Sequence, residues 1–127
     1  MDAREEIEAI LKALFASQQF AVLATQDQGQ PYVSLMAFAH TEDLRSLVFA
    51  TDRATRKFTN LLSNNRVAVM IDNRSNRGSD TETATAATVL GQAHELSGEE
   101  RERHLAAYVR KYPHLSAFAR SEKCALI

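Results

Sequence analysis

The sequence predicts a mainly β domain: six strands in an antiparallel sheet that closes into a small barrel, with helices plugging its ends. Three observations carry this reading. Strand-like runs follow one another through short polar or turn-forming connections, which favours antiparallel pairing over the long crossovers of a βαβ layout. Helical periodicity is confined to the N-terminus, one short middle segment and the region before the last strand, so the order is helix, three strands, helix, two strands, helices, strand. The run Arg66–Asp72 is apolar on both faces, as a central strand must be. At 127 residues one domain, residues 1–127, is expected, and it can bury a real core.

Asp2 to Ser17 reads as an amphipathic helix. Ile7, Ile10, Leu11, Leu14 and Phe15 recur at helical spacing, and acidic residues crowd the first turn, where the dipole favours them. Phe20–Thr25 and Tyr32–His40 are strands joined by Gln26–Pro31, a turn by composition in which Gly29 supplies a positive φ; the pair reads as a hairpin. Polar residues Thr41–Arg45 lead to a third strand, Ser46–Thr51. A short helix then runs to about Ser63, and Asn64-Asn65 end it because asparagine tolerates the left-handed conformation. Arg66–Asp72 is the fourth strand and Asn73–Asp80 a polar loop. Thr81–Leu96 reads as one long β-type run in which Gly91 marks a bulge or bend. Ser97–Glu100 carry helix-start residues; that helix holds Leu105, Ala106, Tyr108 and Val109 and is broken by Pro113. His114–Arg120 adds a helical turn or two, and Lys123–Ile127 begins a last strand that is either short or truncated.

Composition narrows the function. A net charge of −1, from 15 basic and 16 acidic residues, argues against bulk electrostatic binding of nucleic acid or of an anionic membrane. The one cysteine, Cys124, cannot form an intrachain disulfide and reads as a small buried apolar residue. No signal-like N-terminus and no run of membrane-spanning length is present, so a cytoplasmic protein is expected. His40, His94, His104 and His114 lack zinc-ligand spacing, and no metal site is expected. No Ser-His-Asp order or paired-carboxylate site stands out either, which fits chemistry carried by a cofactor.

The segment Thr51-Asp52-Arg53-Ala54-Thr55-Arg56-Lys57 is the most informative in the chain. It gathers two hydroxyls and three cations where a strand becomes a helix. A helix start offers unpaired N–H groups and the positive end of the dipole, so Thr55, Arg56 and Lys57 make a phosphate cradle without a glycine-rich loop. Cations there are unfavourable unless an anion sits beside them, and adjacent Arg and Lys diverge, so one can reach a ligand while the other braces it. The alternative is a threonine cap followed by solvated charges.

Gly29-Gln30-Pro31-Tyr32, an apolar strand, Val48-Phe49-Ala50-Thr51, Thr55-Arg56-Lys57 and Asn64-Asn65-Arg66-Val67-Ala68-Val69 occur in that order. This pattern resembles the pyridoxamine 5′-phosphate oxidase-like, flavin-binding split-barrel family. The resemblance implies a split Greek-key barrel that works as a homodimer, with FMN in a groove between subunits. It implies that Thr55, Arg56 and Lys57 hold the FMN phosphate, with Arg53 a further candidate by position. Ala50 and Thr51 would pass beside the flavin, and Ser34, Leu35 and Met36 would run along its ring. An FMN-dependent oxidoreductase of unknown substrate is the implied function. The chain departs from the oxidase proper: its second-strand Arg and Lys fall on Ser34 and Ala39, its flavin-contacting Gln falls near Ala86, and its C-terminal Arg and His region has no counterpart here. The shorter FMN-binding members are therefore the better analogy. Relatives that use deazaflavin or that bind or degrade haem, and a non-enzymatic dimeric stress module, are the alternatives.

Overall fold

The computed structural model describes residues 2–127. Helix α1 (Ala3–Ser17) begins at Asp2, whose carboxylate accepts the Glu5 N–H at 2.8 Å. Leu14 and Phe15 are buried by docking on the sheet, whereas Ile7 and Ile10 stay exposed; the predicted apolar stripe is only half used. Strands β1 (Phe20–Asp27) and β2 (Gln30–His40) form the expected hairpin. Its turn is tighter than the composition suggested. Only Gln28 and Gly29 leave the ladder, at φ 49° and 84°, so both central residues are left-handed, as a two-residue hairpin turn that follows strand twist requires.

Strand β3 (Leu47–Asp52) leads into α2 (Arg56–Ser63), β4 (Arg66–Asp72), the single turn α3 (Asp80–Thr83) and β5 (Ala86–Gln92). Helix α4 (Gly98–Lys111), a 3₁₀ turn (Pro113–Leu115), α5 (Ser116–Arg120) and β6 (Cys124–Leu126) complete the chain. The six strands lie in the order β5-β4-β1-β2-β3-β6, and every neighbouring pair is antiparallel. Within it, β4-β1-β2-β3 is the Greek-key arrangement. The sheet curls until the segment after β5 meets β6, where Leu96 N–H donates to Leu126 C=O at 2.7 Å.

One expectation fails. Thr81–Leu96 is not a single strand. The Asp80 carboxylate accepts the backbone N–H groups of Ser75 and Arg77, and the Thr81 and Thr83 hydroxyls donate to the Gly78 and Ser79 carbonyls. Such local side-chain bonds compete with ladder pairing and wind this stretch into a helical turn despite its β-type composition. The strand starts only at Ala86, and Gly91 pairs Val67 in unbroken register, without a bulge.

The core falls into three clusters of buried side chains. One packs α4 and α5 on β3 and β6 through Val48, Leu105, Tyr108, Ala119 and Leu126. A second packs α1 on the curled sheet through Phe15, Leu23, Phe38 and Ile71. A small third cluster seats α2 on the end of the chain through Phe58, Leu61, Ala125 and Ile127. The end of α4 is stapled to the end of α1: the Tyr112 hydroxyl lies between the carbonyls of Gln19 (2.8 Å) and Phe38 (2.5 Å), and Lys111 Nζ donates to those of Phe15 (3.0 Å) and Gln18 (2.9 Å). Among the described residues no helix is long and apolar enough to cross a membrane.

Candidate functional site

The junction of β3 and α2 is shaped by Asp52. Its carboxylate accepts the Ala54 N–H (2.8 Å), and its carbonyl accepts the Thr55 N–H (3.2 Å) and hydroxyl (2.8 Å). This local turn aims the chain into α2. Thr55 occupies the N-cap position, but its hydroxyl is turned back to Asp52 and to the Thr51 hydroxyl 3.2 Å away, so it caps no helix N–H. The first turn of α2 also contains no acidic residue. A helix start is thus left with uncapped donors, flanked by Arg56 and Lys57, which is the electrostatic arrangement that suits an anion.

Burial holds α2 in place. Asn60, only 3% exposed, donates to the Thr25 hydroxyl of β1 at 3.1 Å, and Thr25 in turn reaches the Tyr32 carbonyl at 3.4 Å. Phe58 and Leu61 fill the space beneath, against Ala125 and Ile127. The N-terminal end of α2 is therefore set by a buried polar tie and an apolar seat on different strands.

An open cleft of about 280 Å³ lies in front of this end. Leu35, Met36 and Ala37 of β2 form one wall, Ala50, Thr51 and Asp52 of β3 the floor, and Thr55 and Lys57 one end. Tyr108 of α4, with Leu115 and Phe118, closes the far side. Six of the nine residues singled out from the sequence line it: Leu35, Met36, Ala50, Thr51, Thr55 and Lys57. Burial, with the nearby Tyr112 and Cys124 adding to it, pushes the Tyr108 hydroxyl up to about 12, so this part of the wall stays uncharged. Asp52 and Lys57 are the only charged residues in the lining.

The other three sequence candidates lie elsewhere. Arg56 stands beside the cleft with its guanidinium 5.0 Å from the Tyr32 ring centroid, so Arg56 and Lys57 diverge as adjacent helical residues must. Ser34 pairs Leu23 in the hairpin and does not reach the lining. Arg53 lies outside the lining: its guanidinium forms a two-pronged ion pair with Glu95 (2.7 and 2.6 Å) and also donates to the Glu122 carbonyl (3.2 Å). This pairing draws the Glu95 carboxyl below its ordinary range. Ala39 is buried in the cluster with Val48 and Tyr112, and Ala86 opens β5 in an exposed position.

The sequence reading missed Ala37, Asp52, Tyr108, Leu115 and Phe118 as lining residues. Tyr108 and Tyr112 stand four residues apart, the spacing of one helix face, but nothing local says that α4 lies opposite β3. No histidine lines the cleft. His40 packs edge-on to Phe15 with centroids 5.7 Å apart, and His94 lies 3.8 Å from Glu100. Among the described residues no group of three or more His, Cys, Asp or Glu could hold a metal ion.

The outer face of the sheet beside the cleft is apolar and bare. Leu35 is 69% exposed and Val33 64%, and the hairpin register sets them against Val22 and Ala24. Met70 and Ala68 of β4 extend this stripe.

A family model described as pyridoxamine 5′-phosphate oxidase matches residues 4–123. No curated protein matches the chain. Among solved structures, a protein of unknown function from Agrobacterium tumefaciens superposes with a TM-score of 0.84 at 21% identity, covering 98% of this chain and 53% of that one. A haem-binding protein from Mycobacterium smegmatis gives 0.81 at 20% identity, over 99% of this chain and 50% of the other. An FAD-binding protein from Mesorhizobium loti gives 0.71 at 18% identity, over 99% and 86%. The chain spans about half the length of the first two of these. At such identities the likeness is one of fold, the split barrel.

Proposed function

The chain belongs to the pyridoxamine 5′-phosphate oxidase family, and from that premise we propose that it binds FMN in the cleft between β2, the end of β3 and the start of α2, and serves as an oxidoreductase. The observation that supports this most is the uncapped, acid-free start of α2 at one end of a cleft whose remaining walls are largely apolar. A dianionic phosphate suits the first end and a planar aromatic ring suits the second. Lys57 and the first-turn N–H groups of α2 would hold the phosphate, with Arg56 braced on Tyr32 at its side. Met36, Leu35 and Tyr108 would exclude water from the ring, and the backbone of β2 and β3 would offer it donors. Bound flavin supplies hydride or electron acceptance; the protein sets its access and its surroundings.

We also propose that the working unit is a homodimer joined through the apolar outer face around Val33 and Leu35. That face is continuous with the open side of the cleft, since Leu35 belongs to both, so a second copy would complete the walls. A histidine-ligated haem gains no support from this cleft, because no histidine lines it.

Titration with FMN, a deazaflavin and haem, followed by absorbance and flavin fluorescence, tests the reading. FMN is expected to bind at micromolar concentration or tighter, and Arg56→Ala with Lys57→Ala to abolish most of that affinity. Unchanged FMN affinity in the double variant would overturn the site.

A further inference from the structure

Two buried tyrosines stand one helical turn apart, Tyr108 within α4 and Tyr112 at its C-cap, and they are used differently. The Tyr112 hydroxyl lies between the Gln19 and Phe38 carbonyls and accepts the Phe38 N–H at 3.3 Å, so it is spent on the fold. Tyr108 is just as buried, at 1% exposure, with its ring tilted against Tyr112 at a centroid distance of 5.1 Å. Its hydroxyl makes no hydrogen bond among the described residues. No side-chain nitrogen or oxygen sealed from solvent lacks a partner among those residues, so the Tyr108 oxygen itself meets open space. The opening that Tyr108 lines is the cleft. Water serves this donor while the cleft is open, and a molecule that displaces the water must accept the bond or forfeit it.

The surroundings of that hydroxyl decide what kind of molecule fits. Leu115 and Phe118, which close the far side with Tyr108, and Leu35, Met36 and Ala37 of β2 are all apolar. The two charged lining residues belong to the other end. Lys57 lies in the first turn of α2, and the Asp52 carboxylate accepts the Ala54 N–H in the turn before it. A carboxylate, phosphate or ammonium brought to the far side would lose its water and gain no counter-charge. A neutral apolar body loses nothing of the kind, and an oxygen acceptor on it replaces the bond that Tyr108 gives up. Burial pushes the hydroxyl up to about 12, so it stays protonated and donates.

We infer that the far side of the cleft is a subsite for an uncharged, apolar carbonyl compound, whose oxygen accepts the Tyr108 O–H while its body lies against Leu115 and Phe118. This rests on the FMN reading above, in which the phosphate takes the α2 end and the far side is left to be shared by the ring and a second molecule. Tyr108 is then a specificity-determining residue for what the flavin meets.

The test uses the whole chain saturated with FMN and three probes of similar size, acetophenone, benzoate and ethylbenzene, with binding followed by ligand-observed NMR. Acetophenone is expected to bind about tenfold or more tightly than the charged benzoate. It should also bind about threefold to tenfold more tightly than ethylbenzene, which lacks the acceptor. Tyr108→Phe should erase the preference over ethylbenzene. It should leave FMN affinity and the denaturation midpoint near those of the parent, because the hydroxyl ties no part of the fold. Phe118→Lys, at a half-exposed position, should turn the preference towards benzoate. Acetophenone bound no better than benzoate or ethylbenzene, or a preference that survives in Tyr108→Phe, would overturn the inference while FMN binding stands. A large loss of FMN affinity in Tyr108→Phe would overturn it by assigning the hydroxyl to the flavin itself. FMN that fails to bind the parent, or that binds undiminished to Arg56→Ala with Lys57→Ala, would overturn the FMN reading and this inference with it.

Discussion

The two ends of β3 are built for different kinds of chemistry. At its C-terminal end β6 covers the strand edge, Thr51 is buried and hydroxyls and turn carbonyls satisfy one another, so what remains to act is side-chain charge and the start of α2. At its N-terminal end the side chains are mostly apolar and line a hollow in the seam shared with Val89, Leu90 and Gln92 of β5. One six-residue strand thus runs from an apolar seam to a corner of uncapped helix donors flanked by cations. Charge changes at the α2 corner should disturb the second of these and leave the seam unmoved, and side-chain changes in the seam the reverse.

The largest separation comes from cofactor affinity. Replacing Arg56 and Lys57 together by alanine removes the proposed Lys57 contact to the phosphate, worth roughly 1.5–3 kcal/mol, and the charge braced beside it, so FMN affinity should fall by about tenfold to a hundredfold or more in a fluorescence titration. Arg45→Glu, at the other end of β3, should leave FMN affinity within about twofold. Equal losses in the two proteins would show that net charge rather than the α2 corner governs binding.

Stability separates the ends next. Asn60→Ala leaves the buried Thr25 hydroxyl without its donor and unties α2 from β1, at a cost of about 1–3 kcal/mol in chemical denaturation. Leu90→Ala, on the exposed seam edge, should stay within about 0.5 kcal/mol of the parent. Comparable destabilisation at both sites would mean that the seam is packed as tightly as the corner.

How much of this was readable beforehand follows the same division. The strands, the hairpin and the diverging Arg56–Lys57 pair were legible because each rests on residues close in sequence: period-two alternation, Gly29 at a positive φ, a strand running into a helix. The far wall of the cleft was not, because Tyr108 and Phe118 reach β2 and β3 only through the docking of α4 and α5. The pairing of Arg53 was hidden for a related reason. It sits in the basic cluster by sequence, yet its partner Glu95 comes from beyond β5, 42 residues away. Thr81–Thr83 misled through local bonds that β-type composition does not reveal.

Arg53 then supplies the sharper control within the basic cluster. Arg53→Ala should destabilise the fold by about 1 kcal/mol, the scale of a partly exposed ion pair, while leaving FMN affinity within about twofold. A large loss of affinity would restore Arg53 to the site and displace the argument from its pairing with Glu95.

The smallest effect concerns the staple that holds α4, and with it the Tyr108 wall, against α1. Burial pushes the Lys111 ammonium down to about 8 from 10.5, even though its Nζ donates to two carbonyls at the end of α1 and lies 4.2 Å from the Phe38 ring centroid. The unfolded chain therefore binds more protons than the folded one between those values, so stability should rise with pH across that window. Below about 8 the lysine is charged in both states and its contribution is flat. The raised thiol of buried Cys124 and the raised hydroxyls of Tyr108 and Tyr112 act in the opposite sense, because the unfolded thiol ionises near 9 and unfolded tyrosines near 10. The lysine is therefore read as a difference: between about pH 8 and 9.5 the denaturation midpoint of the parent should gain slightly on that of Lys111→Met, which keeps the apolar stem and loses the titration. A parent that loses ground to the variant over this interval would mean that the carbonyls of Phe15 and Gln18 hold the ammonium more strongly than burial expels it.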